Sequence, residues 1–289
     1  MGRLERLLDK ADILKETGKF NDALVELAKA MEIEPESPDV YLSYALTYDS
    51  MSDLKASLPY FEKALVLCPN DHYIMTHLGI TLARNEKYSE AIEILKEALE
   101  INPEYIVAKW NLGLTYRAIG LYEDALKEFL ECVVLDSESE YVKEEIHYQM
   151  GLCYYDMGWT REALNNFNNH LKLFPNDIWG HLSIGNCYFD LGWIEESIRK
   201  FKDSLQICPD FIPAYNSLAL SYAEKGWYDE ALEVLRTALL IAPNDQSVKD
   251  NIDYIQSLKD DDDDGYKGII LFSIILKLLK KHQLQENSN

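Results

Sequence analysis

Basic residues are in short supply. The chain has 28 Lys and Arg against 50 Asp and Glu, a formal net charge of −22. Nucleic-acid binding depends on clustered Lys and Arg that neutralise phosphates, so no nucleic-acid partner is expected. The acid excess reads either as a solvated outer face or as an attraction for basic partners. Cysteine is sparse too. Cys68, Cys132, Cys153, Cys187 and Cys208 are odd in number and scattered, which makes no disulfide framework. They read as buried, reduced thiols of a cytoplasmic protein. The 9 Pro and 13 Gly mostly punctuate at regular intervals, while 47% apolar residues supply ample core material and exclude global disorder.

Catalytic motifs are missing. None of His72, His77, His147, His170, His181 and His282 belongs to an HExxH, and there is no CxxC, GxGxxG, P-loop or GxSxG. The expectation is a non-enzymatic protein with no metal and no cofactor. The opening MGRLERLLDK has no apolar signal core, and Arg6 stands where a myristoylation signal needs Ser or Thr.

What is present is a period. A small residue recurs at Ala11, Ala45, Gly79, Gly113, Gly151, Gly185 and Ala219, at intervals of 34, 34, 34, 38, 34 and 34. Three residues on stands a ring or Leu: Leu14, Tyr48, Leu82, Tyr116, Tyr154, Tyr188, Tyr222. A turn residue follows at Gly18, Ser52, Glu86, Gly120, Gly158, Gly192 and Gly226. A second amphipathic stretch then pairs a small residue (Ala23, Ser57, Ala91, Ala125, Ala163, Ser197, Ala231) with a large one four later (Leu27, Phe61, Leu95, Phe129, Phe167, Phe201, Leu235). Proline ends six of the seven stretches, and Ser137 takes its place in the fourth. Small residues let two helices approach while large ones fill the space beside them, and each pair needs a neighbour to bury its apolar face.

This pattern resembles the tetratricopeptide repeat, a 34-residue helix-turn-helix unit, over about residues 4–245 in seven copies. The resemblance implies an all-α solenoid: a right-handed superhelix with first helices lining a concave groove and second helices on its convex back. Its members mostly bind proteins or peptides. The domain reading is units one to four at 4–139, units five to seven at 140–245, and a capping helix at 246–259 with Val248, Ile252, Ile255 and Leu258 on one stripe. An acidic linker at 260–267 and an apolar and basic segment at 268–289 follow. Two departures stand out. Four extra residues precede unit five, so its first helix begins a turn early near Glu140 or a loop lengthens. His170 occupies a slot where most copies have Ala.

The groove side of the first helices supplies the candidate peptide-binding residues. In unit four, Leu112, Tyr116 and Ile119 form the packing stripe, which leaves Trp110, Asn111, Leu114 and Arg117 on the other. Unit three offers His77 and Arg84; unit five, Tyr148 and Tyr155; unit six, Trp179, Asn186 and Phe189; unit seven, Asn216. Rings supply contact area, and amides pair with a partner's main chain. Some rings complete packing between repeats instead. Trp110 is the first suspect, because the family's Trp slot lies one residue earlier and holds Lys109. Some relatives clamp a C-terminal carboxylate with lysines and asparagines; the acids Asp9, Asp12, Asp39 and Asp49 on this side disfavour that.

The functional expectation is an interaction scaffold or adaptor that takes a protein or peptide in its groove. The alternative centres on GIILFSIILKLLKK, Gly268 to Lys281, which is too short to span a bilayer. It folds back onto the array, joins another chain as in a homo-oligomer, or lies in a membrane interface with its lysines toward anionic lipid.

Overall fold

The computed structural model describes residues 2–135 and 140–262, apart from the side chains of 140–144. Among these residues there are helices and turns and no strand, an all-α helical-repeat solenoid. They form two compact units, Met1–Met157 and Gly158–Asn289.

In the first unit the helices alternate as α1 (Arg3–Glu16), α2 (Phe20–Ile33), α3 (Pro38–Ser50), α4 (Leu54–Leu67), α5 (His72–Arg84), α6 (Tyr88–Ile101), α7 (Ile106–Ala118), α8 (Tyr122–Leu135) and α9 (Glu140–Asp156). The second unit holds α10 (Thr160–Leu173), α11 (Ile178–Asp190), α12 (Ile194–Ile207), α13 (Ile212–Glu224) and α14 (Tyr228–Ile241), then helical residues 246–262, here α15. The four extra residues went into a helix: α9 has 17 residues where α7 has 13. Ile146, Met150 and Cys153 of α9 join Phe129 in one core, and the first compact unit ends after α9. Ser137, the linker beyond 262 and the apolar segment lie outside the described residues.

Each column of the repeat has a visible cause. All seven turn residues adopt positive φ, including the non-glycines Ser52 (61°) and Glu86 (60°). That left-handed residue ends the first helix and turns the chain into the second. The residue before each proline that closes a second helix is extended, as at Cys68 (φ −134°, ψ 78°) and Cys208 (φ −132°, ψ 92°), because proline's ring pushes it out of the helical region. The close approach is equally literal. A Cβ on Gly113 would lie 2.7 Å from Cε1 of Phe129, and one on Gly185 would lie 2.4 Å from Cε1 of Phe201. Phe61, Phe129, Phe167 and Phe201 are fully buried.

One further column emerges only in the fold. Thr47, Thr81, Thr115, Cys153, Cys187 and Ser221 share a register and are all buried on the first helices. The hydroxyls of Thr47, Thr115 and Ser221 donate to the carbonyl four residues back, at 2.7, 2.6 and 3.0 Å, so they carry no unmet polarity into the core. Two cysteines fill the same slot as compact apolar groups. All five cysteines are free. Burial pushes the Cys153 thiol up to about 11 and those of Cys132 and Cys187 up to about 12, which makes them packing groups rather than nucleophiles.

α15 caps the last repeat. Asp245 accepts from the Val248 N–H at 3.1 Å to start it, and Val248 and Ile255 are completely buried against the α14 core. Burial of such side chains contributes at most about 1.5–3 kcal/mol each. The helix continues through Asp260–Asp262, three residues past the end read from composition.

Candidate functional site

In the first unit the candidate face belongs to α3, α5, α7 and α9. Its polar side chains are largely engaged with one another. Arg84 Nη1 donates to Asp49 Oδ2 at 2.5 Å, and Thr81 Oγ1 donates to Asp49 Oδ1 at 3.0 Å, which ties α5 to α3. Lys15, another cation on this side, pairs with Asp12 at 2.8 Å. His77 packs edge-on against Tyr73, with ring centroids 4.4 Å apart. Burial, more than anything else, holds its pKa below the usual imidazole value; Asp49 opposes that shift and Lys15 adds to it.

On α7 the candidates separate. Trp110 packs 5.2 Å from the Phe129 ring and joins the core cluster, so its ring serves packing between helices. Leu114 flanks the same cluster. Lys109, in the slot next door, is buried and bonded to Glu131 on α8 at 2.5 Å. Asn111 Nδ2 donates back to the Val107 carbonyl at 2.7 Å. Arg117 is half-buried, and its Nε has no hydrogen-bond partner among the described residues. Tyr148 and Tyr155 of α9 are half-buried. Among the described residues of these helices, Tyr73 and Val107 are large apolar side chains left open to solvent, and they share one register position.

In the second unit α11, α13 and α15 form the corresponding face. Trp179 stands at that same register and is 48% exposed, with its ring edge-on to Phe211 at 4.8 Å. Asn186 Oδ1 accepts from Ser217 Oγ at 3.4 Å, and Phe189 is half-buried beside it along α11. Asn216 Nδ2 donates to Ser247 Oγ at 2.9 Å, while its Oδ1 is buried with no partner among the described residues. Trp179, Asn186 and Phe189 therefore come together on one helix, with Asn216 on the next.

Two arrangements escaped the sequence. Tyr60 of α4 stacks on Tyr44 (4.9 Å) and Tyr48 (5.4 Å) of α3, and the regular Tyr content of the α3 stretch was the available clue. His170 is buried, with Nε2 3.0 Å from Asp177 Oδ2, and Asp177 in turn accepts from the Gly180 N–H at 2.7 Å to cap α11. Burial would raise the Asp177 pKa, but the bonds from His170 and Gly180 outweigh it and hold the carboxyl below its usual value. The Ala slot is thus used to brace a helix start.

Among the described residues no group of His, Cys, Asp or Glu could hold a metal ion, and no helix is long and apolar enough to cross a membrane. Fold and site together define a helical-repeat interaction module. The tetratricopeptide repeat family matches residues 38–71, 82–131 and 212–245. A peroxisomal targeting signal receptor from Candida glabrata is 28% identical over 116 residues, covering 40% of this chain and 20% of that one. The anaphase-promoting complex subunit CDC16 of Saccharomyces cerevisiae is 28% identical over 167 residues, 55% of this chain and 19% of the relative. The crystal structure of the APC/C hetero-tetramer Cut9–Hcn1 aligns at TM-score 0.64 and 18% identity, over 85% of this chain and 48% of that one. The chain is a tetratricopeptide repeat protein, and its matches span about a fifth of the length of those two curated relatives.

Proposed function

We propose that this protein is a non-enzymatic protein-interaction scaffold whose first-helix face binds an extended peptide or helix. The observation that carries this reading is Trp179, a large ring 48% exposed on the α11 face with Asn186 and Phe189 on the same helix. An aromatic residue left open beside an amide suits a partner that inserts apolar side chains and pairs its main chain. Asp49 and Asp12 already hold Arg84 and Lys15, so those two cations are poorly placed to clamp an acidic terminus. The partner segment is therefore apolar and neutral or basic, in keeping with the net charge of −22. The two relatives fit: one is named as a receptor for a targeting signal, the other as a subunit of a complex. Cytoplasmic placement belongs to the same proposal, resting on cysteine chemistry.

The test uses a peptide selected from a displayed random library on the full chain. Trp179→Ala with Phe189→Ala is expected to weaken its affinity at least tenfold, measured by calorimetry. Unchanged affinity would remove the α11 face from the proposal.

A further inference from the structure

The second unit carries a second aromatic row, away from the first-helix face. Trp159, Trp193 and Trp227 are the residues immediately before α10, α12 and α14, at intervals of 34, and are 51, 46 and 45% exposed. The corresponding residues of the first unit are Lys19, Asp53, Lys87 and Leu121. Neighbouring rings hold Trp193 and Trp227 in place. Tyr188 lies 5.6 Å from Trp193, Tyr222 lies 5.8 Å from Trp227, and Lys225 Nζ sits 4.8 Å over the Trp227 ring. At the first rung is an open cleft lined by Gly158, Trp159, Thr160, Arg161, Glu162 and Leu191. Beside each Trp, three residues on, stands an acid: Glu162, Glu196 and Glu230. Glu196 also meets Arg199 at 2.8 Å. A row of exposed tryptophans of this kind marks a contact surface rather than ordinary exposure.

We propose that this tryptophan row is the docking site for the chain's own apolar segment, Gly268 to Lys281. The first support is where the chain goes. Lys259 of α15 bonds Asp229 at 2.5 Å, two residues from Trp227, so α15 delivers residue 262 to the edge that carries the row. Residues 263–267 reach about 17 Å when extended, enough to turn back to the rungs. The chemistry also matches: Ile269 to Leu276 offers the apolar surface, while Lys277, Lys280 and Lys281 face a row of glutamates. Attachment in the same chain gives an effective concentration in the millimolar range, so modest contacts suffice. The row is distinct from the first-helix face, and either proposal stands if the other fails.

Hydrogen exchange of the full chain, read by mass spectrometry, tests this. Amides of 268–281 are expected to exchange at least tenfold more slowly than a free peptide of that sequence, independently of protein concentration. Trp193→Ala with Trp227→Ala abolishes that protection. Ile270→Asp with Ile274→Asp, which leaves the repeats intact, speeds exchange around Trp193 and Trp227. A segment that exchanges freely in the unaltered chain overturns the proposal. So does protection that survives both pairs of substitutions, or protection that rises with concentration and so belongs to a second copy.

Discussion

Arg84 Nη1 lies 2.5 Å from Asp49 Oδ2, one repeat away on the preceding first helix. The pair is partly exposed, so its contribution is small, about 0.5 kcal/mol or less after solvent screening. Its placement matters more than its strength, because it takes an otherwise available cation out of the candidate face. Asp49→Asn should lower the unfolding midpoint slightly at low salt and leave it unchanged at high salt, in denaturant titrations at the two ionic strengths.

The same aspartate moderates a pH dependence. His77 has its folded pKa below the ordinary 6.5, chiefly through burial, so the unfolded chain takes up the proton first as pH falls. The stability that neutral His77 provides is full above about 6.5 and declines as pH falls from there toward the folded value. His77→Gln should flatten unfolding free energy over that interval. Asp49→Asn should steepen it, because Asp49 is the group that opposes the shift.

Gly185 and Gly113 are close-approach positions. A methyl group there meets the Phe201 or Phe129 ring at 2.4 or 2.7 Å, and a ring wedged in a core cannot swing away. Gly185→Ala should destabilise by about 1–3 kcal/mol despite its better helix propensity. Phe201→Leu in the same chain should recover part of the loss.

Ser52 and Glu86 hold the left-handed turn that glycine holds in the five other repeats. A side chain there costs about 1–2 kcal/mol, while glycine adds about 0.5–1 kcal/mol of unfolded-state entropy. Each change to Gly should therefore stabilise by a net of about 0.5–1 kcal/mol, seen as a higher melting temperature. Gly120→Ala should do the reverse.

Thiol labelling should separate the cysteines into two groups. Cys68 and Cys208 are partly exposed, while Cys132, Cys153 and Cys187 are buried. A maleimide is expected to modify at most two thiols per folded chain, and all five once denatured. Cys187→Ser should be well tolerated, since Ser221 fills the same column with its hydroxyl bonded to its own helix.

The repeat phase was legible because every column has a local physical duty. Gly113 stands where Phe129 presses, Gly120 where the chain turns left-handed, and Cys68 where the following proline forbids another helical residue. The longer α9 could also be read, since four residues are one turn. Trp110 was harder. It and Lys109 are neighbours about 100° apart on one helix, and only the position of Phe129 on α8 decides which of them joins the core. The His170–Asp177 brace was hidden for the same reason: two polar residues seven apart, across a loop, carry no periodic signal. Candidate face residues were legible as a stripe, but their mutual bonds, such as Asn216 to Ser247, depend on how one first helix meets the next.

A partner segment on the first-helix face would shield Trp179 and Phe189 from solvent. Hydroxyl-radical footprinting of the full chain, with and without the selected peptide, reads that shielding. Severalfold slower oxidation of Trp179 and Phe189 is expected in the complex, with Leu240 on α14 unchanged. Unaltered rates at Trp179 and Phe189, together with protection on second helices such as α12 and α14, would contradict it.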